Sequence, residues 1–411
     1  MSNNFPVEKI RQDFPGLHQQ VNGHPLVYFD NAATTQKPQA VIEAINQHYK
    51  TSNANVHRAI HTLSDRATQA FEQSRTNITR FINAEHEHEV IFTKGTTEGI
   101  NLVAQSYAIP FLKKGDEILI TTMEHHANIV PWQVVCERNG CELQVVPLTG
   151  SGEIDREAFT RLLSERTKLV AFPHISNVLG TINPVADMIA EIRQLTPAAI
   201  LIDGAQAVAH LPIDVQALDC DFYLFSGHKL YAPCGIGILY GKSTLLEQMI
   251  PYQTGGEMIR TVTFAFTEYN DLPFKFEAGT PNIEGVIGLN AAIKYLLQIG
   301  LDNIGYYEQQ LREYITSQIL QNTDVQIIGT AANKSPIVTF IAEGAPPHDI
   351  STLLDLSGVA IRVGHHCTMP LHQALGIAAS ARASLAMYNT REEIDIFIQA
   401  LQKTLKVLRG K

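Results

Sequence analysis

In the stretch GVAIRVGHHCTMP, Cys367 lies directly behind His365 and His366 and five residues after Arg362. A thiol beside imidazoles can bind a metal, attack as a nucleophile or fill a pocket, and the stretch alone leaves all three open. MEHHANIVPW adds His125 and His126, so a shared metal has to be considered. The chain contains neither HExxH nor CxxC, however, and no metal is expected. Two further side chains invite chemistry. Lys229 follows the apolar run DFYLFSGH, and Asp203 ends the run AILID, with Gln206 three residues on. Taken singly, a loop lysine and a capping carboxylate are their ordinary readings.

Together they ask for one ligand that touches both. Pyridoxal phosphate has that form, with an aldehyde for a lysine amine and a ring nitrogen whose proton a carboxylate holds. Its phosphate needs donors. IFTKGTTEGINL reads as a strand end followed by a helix start, where unpaired N–H groups and the helix dipole favour an anion and where Thr96 and Thr97 add hydroxyls. Ser226 and His228 flank Lys229 and complete such a cup. His125, just after ILITT, offers an imidazole face for the ring. GxxxxGK[ST] is absent, so Lys229 is no nucleotide-loop lysine.

These residues must be carried by a regular frame. EVIFTKG, DEILITT, CELQVVPL, TKLVAFPHI, AILIDGA, DFYLFSG and GIGILYG are short β-rich apolar runs, several separated by helical stretches such as PVADMIAEIRQL. That rhythm predicts an α/β domain with a mostly parallel sheet covered on both faces. Residues 65 to 82 have a helical period with Ala67, Phe71, Ile78 and Phe81 on one face. Beyond about 290 two helices, near 285–298 and 301–321, precede the strands SPIVTFIA and VAIRVG and a final helix from EEIDIF. The expected division is an N-terminal segment 1–25 joining the small domain, a large domain 26–290, and a smaller α+β domain 291–411 that carries Cys367.

Composition narrows the function classes. The 411 residues are 45% hydrophobic and 18% charged, as in an ordinary globular chain. A formal charge of −10 and the lack of a basic run argue against a nucleic-acid partner. No stretch is long and apolar enough for a membrane span, and the N-terminus lacks signal-peptide character. Five irregularly spaced cysteines suit free thiols in a reducing compartment, and the cytoplasm is the simple expectation.

The motifs VYFDNAATTQKP, NVHRAIHTLSDRAT, KGTTEGINLVA, MEHHANIVPWQ, HISNVLGTINPV, DGAQAVAHLPIDVQALDCDFYLFSGHKLY, FEAGTPNIEGVIGL, RVGHHCTMP and RASLAMYNTREEID run nearly end to end. In this order they resemble the fold-type I (aspartate aminotransferase-like) enzymes that use pyridoxal phosphate. More closely, they resemble the group II cysteine desulfurases of the Suf sulfur-mobilisation pathway, a class that includes selenocysteine lyases. The resemblance implies Lys229 as Schiff-base lysine, His125 stacked on the ring and Asp203 at its nitrogen. It places Asn177 and Gln206 on the ring-hydroxyl side, and Thr97, Ser226 and His228 on the phosphate, joined by Thr280 from the partner of a homodimer. Arg382 would grip the substrate carboxylate beside Asn177, His57 and Arg362 would line the pocket, and Cys367 would take sulfur from L-cysteine as a persulfide. The product would be L-alanine, and the sulfur would pass to an acceptor of the SufE or SufU type for iron–sulfur cluster assembly. L-Selenocysteine lyase activity is the nearest alternative; an aminotransferase, a kynureninase-like hydrolase and a scaffold without the cofactor are more distant ones. The chain departs from the family at Ala232, where glycine is common, and at Cys234, where threonine or serine is frequent. Ala232 implies a backbone angle that tolerates Cβ, and Cys234 is read as a packing side chain. Which of His365, His366 and Arg362 activates Cys367 is left open.

Overall fold

A computed structural model describes residues 5–410. Seven strands form its large sheet: β1 (Val90–Thr93), β2 (Glu117–Thr121), β3 (Glu142–Val146), β4 (Thr167–Pro173), β5 (Ala199–Asp203), β6 (Phe222–Ser226) and β7 (Gly237–Gly241). They lie in the order β1-β7-β6-β5-β4-β2-β3, with every pairing parallel except those of β7. Alternate residues of the central strands enter opposite cores. Val170, Phe172, Ile200, Ile202, Tyr223 and Phe225 join one cluster, and Leu169, Ala171, Leu201, Phe222 and Leu224 the other. Burial on both faces explains why these strands read as continuous apolar runs instead of alternating ones.

Helices α1 (Gln39–Thr51), α2 (Thr62–Phe81) and α4 (Ile283–Ile299) pack together on the large domain, and α3 (Thr96–Val103) follows β1. The expected face of α2 is the buried one, with Ala67, Phe71, Ile78 and Phe81 inside. It begins earlier than the period suggested because the His61 side chain accepts from the Ser64 N–H and caps it.

The smaller sheet, β8 (Gln326–Ile328), β9 (Ile337–Ile341), β10 (Arg362–Gly364) and β11 (Ser380–Ser384), is antiparallel in the order β8-β9-β11-β10. One face packs on α5 (Leu301–Asn322) and α6 (Arg391–Leu408) through Val338, Phe340, Ala381, Ala383, Leu311, Ile315, Phe397 and Leu401. A Thr390–Glu393 capping box starts α6. Val27 and Tyr28 pair with Val359 and Ala360, and Val27 and Phe29 enter the small core, so the chain just past residue 25 also belongs to this layer. Residue 290 falls inside α4, whose buried residues Val286 to Leu296 pack in the large core. The segment GGEMIRTV opens an exposed hairpin, Ile259–Val262 with Thr267–Tyr269. Among the described residues no helix is long and apolar enough to cross a membrane.

The antiparallel β7 lets two backbones meet at the site. A Cβ on Gly237 would lie 2.4 Å from Gly95 Cα and 2.7 Å from the Phe225 carbonyl oxygen. Both obstacles are main chain, so neither can swing aside. Gly237→Ala is expected to lower stability by about 1–3 kcal/mol in urea unfolding. It should also weaken retention of the phosphate-bearing cofactor, measured as cofactor released on gel filtration.

Candidate active site

Since β7 runs against both neighbours, β1 points the same way as β2, β4, β5 and β6, and the C-terminal ends of five strands share one edge. Open α/β sheets bind ligands at such an edge. Here it gathers Thr96 and Thr97 after β1, His125 after β2, Asn177 after β4, Asp203 at the end of β5 and Ser226, His228 and Lys229 after β6. The small domain closes the cavity with Arg362, His366 and Arg382, enclosing about 190 Å³.

The β6–β7 connection is held from a distance. The His228 carbonyl accepts from the Thr35 N–H (3.1 Å), Thr34 Oγ1 (3.0 Å), Thr35 Oγ1 (3.2 Å) and Lys37 Nζ (2.9 Å). Thr35 Oγ1 also accepts from the N–H of Tyr231, which has φ 60°. The left-handed residue is therefore Tyr231, and Ala232 keeps an ordinary negative φ, in keeping with the tolerance for Cβ expected there. Cys234 is a correction: its side chain is exposed and not packed, because the turn carries it to the surface.

On the anion side, Ser226 Oγ accepts from the Thr96 N–H at 2.9 Å and lies 2.8 Å from Thr96 Oγ1. Gly95 takes φ 152°, and a Cβ there would come 3.1 Å from Ser226 Oγ, so the cradle requires glycine. Asp203 is buried. One of its oxygens accepts from the Ala205 N–H at 2.9 Å, and the other has no hydrogen-bond partner among the described residues. Lys229 Nζ likewise makes no hydrogen bond among the described residues. Burial lowers its pKa to about 8, with Asp203 opposing that shift and Arg382 and Arg362 adding to it. Burial raises the Asp203 pKa against the pull of Lys229. Burial, reinforced by Lys229, brings His125 down to about 3, so its ring is neutral.

Cys367 is tied across the domain boundary. Its carbonyl accepts from the His126 N–H (2.8 Å), the Met369 N–H donates to His126 Nε2 (3.0 Å), and Asn177 Nδ2 donates to the His366 carbonyl (2.8 Å). His366 and Cys367 both adopt positive φ, 51° and 60°, a costly turn for two side-chain-bearing residues that the three tethers hold in place. His365 points outward and His366 inward. Among the described residues, neither imidazole hydrogen-bonds the thiol. Arg362 does, with Nη2 3.7 Å from Sγ. The contact turns the sulfur toward a side chain that lines the cavity.

Arg382 lies opposite Arg362 in the β10–β11 register. Its guanidinium is buried, donating from Nη1 to the Asn177 carbonyl (2.7 Å) and from Nη2 to Asp30 (3.1 Å). Burial lowers its pKa to about 10 while Asp30 opposes. Gln206 Nε2 donates to the Ala32 carbonyl at 2.8 Å. Three expected residues do not line the cavity of their own chain: Cys367, which adjoins it through Arg362, His57 and Thr280. His57 is held by Glu72 (2.8 Å) and Glu257 (3.2 Å), and Thr280 stands exposed after Gly279. Residues 30–37 do work that none of their residue types announces. Asp30 braces Arg382, Ala32 and Ala33 line the cavity, and Thr34, Thr35 and Lys37 fix the lysine loop. Only the turn-rich composition of DNAATTQK hinted at it.

The aminotransferase class-V family model matches residues 27–397. A cysteine desulfurase of Salmonella agona is 52% identical over 405 residues, which is 98% of this chain and 99% of that protein. The chain belongs to the cysteine desulfurases. Among solved structures, the cysteine desulfurase CsdA of Escherichia coli is 38% identical with TM-score 0.91, covering 98% of this chain and 100% of the other. The apo cysteine desulfurase of Thermococcus onnurineus NA1 is 35% identical with TM-score 0.93, covering 99% of each.

The cofactor of this enzyme is pyridoxal phosphate, and the residues present fit it. Lys229 Nζ and one Asp203 oxygen are free for an aldehyde and a ring nitrogen, and the glycine-requiring cradle of Gly95, Thr96 and Ser226 suits a phosphate. When bound, the cofactor supplies a ring that accepts electron density from the substrate Cα.

Proposed function

We propose that the enzyme converts L-cysteine to L-alanine and stores the sulfur as a persulfide on Cys367. The observation that carries this is a thiol held by three interdomain hydrogen bonds beside Arg362 at the edge of the Lys229 cavity. Arg382 receives the α-carboxylate, which orients the Cα–H bond. Asp203 would hold the ring nitrogen's proton, and the His125 imidazole, neutral through burial, would line the same pocket without adding charge. Lys229 Nζ, poised near neutrality, takes the Cα proton and returns one to carbon. Cys367 Sγ bonds to the substrate sulfur as the Cβ–S bond breaks. That electron pair stays with Cβ and, with a proton, becomes the methyl of alanine. The sum is cysteine and a thiol giving alanine and a persulfide, with no outside oxidant.

The wider reading includes a homodimer, with Thr280 and His57 serving at or near the partner's site, and an acceptor of the SufE or SufU type that collects sulfur from a tightly held cysteine. The two-domain division, with the cytoplasm as compartment, is proposed alongside. Mass spectrometry after addition of L-cysteine tests the central claim. One extra sulfur on the peptide containing Cys367, with alanine released, is expected; a keto acid and an unmodified peptide would reject it.

A further inference from the structure

Among the described residues, two buried polar atoms of the cavity wall lack hydrogen-bond partners: Nδ1 of His366 and Nε of Arg382. Arg382 can only donate, so what His366 Nδ1 offers decides whether the two are complementary. The surrounding hydrogen bonds decide it.

His372 Nδ1 lies 3.1 Å from the Thr368 carbonyl oxygen and 3.4 Å from Thr368 Oγ1, whose own hydrogen goes to the His365 carbonyl at 2.7 Å. Both atoms can only accept, so His372 carries its proton on Nδ1. Burial holds its pKa below the usual imidazole value, which leaves Nε2 with a lone pair. Ser380 Oγ, 3.0 Å from that Nε2, must donate to it. The one hydroxyl hydrogen is then spent, and the contact between Ser380 Oγ and His366 Nε2 at 3.1 Å requires the imidazole to donate. His366 is strongly neutral, its pKa brought down to about 2 by burial and by Arg382, so its single proton is on Nε2 and its Nδ1 is a bare acceptor.

Ser380 and Arg382 alternate with core-facing Ala381 and Ala383 on β11, so their side chains share the face toward the cavity. We propose that the chain Thr368–His372–Ser380–His366 fixes the His366 tautomer so that Nδ1 receives the Nε–H of Arg382, directly or through one water, when substrate binds. Arg382 already gives one N–H of Nη1 to Asn177 and one of Nη2 to Asp30. Holding Nε at His366 leaves the two remaining Nη hydrogens for the substrate carboxylate. Ser380, His372 and His366 are thus positioning residues for carboxylate recognition.

This rests on the desulfurase reading, which alanine formation by the wild-type enzyme establishes separately. The relay is tested on wild-type and Ser380→Ala holoenzyme with two competitive inhibitors of L-cysteine turnover. 3-Mercaptopropionate has the carboxylate and thiol without the amine; cysteamine has the amine and thiol without the carboxylate. Ser380→Ala is expected to weaken 3-mercaptopropionate about tenfold and cysteamine less than twofold, with Ser380→Thr restoring the first. Because both constants come from one preparation, partial misfolding does not alter their ratio. Equal weakening of the two inhibitors, or no change in either, would overturn the relay.

Discussion

Cys367→Ala is expected to cut sulfur transfer from L-cysteine by at least about 10³-fold, because the variant has no atom to receive the sulfur. Nothing else can take its place. Among the other cysteines, Cys136 lies on a helix and Cys141 and Cys220 on the connections before β3 and β6, none of them lining the cavity, and Cys234 sits exposed in the β6–β7 connection. Burial raises the pKa of Cys136 to about 11 and pushes those of Cys141 and Cys220 upward, which suppresses their nucleophilic form. With L-selenocysteine the selenium leaves carbon readily, so the same variant should retain much of its activity. Alanine release from both substrates, measured side by side, checks this. Equal retention on sulfur and selenium would remove the persulfide role, whereas Cβ–Se cleavage surviving alone would show that Arg382, Lys229 and the cofactor site remain intact.

Lys229→Ala is expected to lower alanine formation by about 10²–10⁴-fold or more, since the cavity loses both its amine and its proton carrier. The other basic groups that line the cavity cannot substitute. A guanidinium has no acceptor lone pair to offer, and burial holds His125 near 3, His228 near 4 and His366 near 2, leaving them weak bases. Borohydride treatment followed by peptide mass mapping gives a second readout. Cofactor mass should appear on the Lys229 peptide of the wild type and on no peptide of the variant. An unchanged rate in the variant would move the proton transfer to another residue.

Much of the site is local and was legible as such. Lys229, Asp203, His125 and Thr97 each follow an apolar run, and a parallel sheet sends the ends of such runs to one edge. The helix starting at Thr96 was readable for the same reason: a strand end, a glycine and two threonines specify an anion cradle within a few residues. The order of the strands was not readable, nor was the reversal of β7, because GIGILYG looks like its neighbours and pairing direction is set by the connections. The expected role of Cys234 in packing failed for a related cause. A thiol's burial depends on which way its turn faces, and Gly235 at φ 76° turns this one outward.

From the sequence alone came the candidates: a lysine, a carboxylate and an anion cradle that together suit pyridoxal phosphate, and a thiol that the family resemblance implies as a sulfur acceptor. Spacing along the chain carries those features, since each sits at the end of its own strand or turn. Tertiary structure alone decided which group faces the thiol. Arg362 and Arg382 oppose one another only through the β10–β11 register, and Cys367 is carried to the cavity by hydrogen bonds to His126 and Asn177, far away in sequence. GHHC offers two imidazoles beside the sulfur, yet consecutive side chains on a left-handed turn diverge, and the charge that reaches Sγ comes from the neighbouring strand.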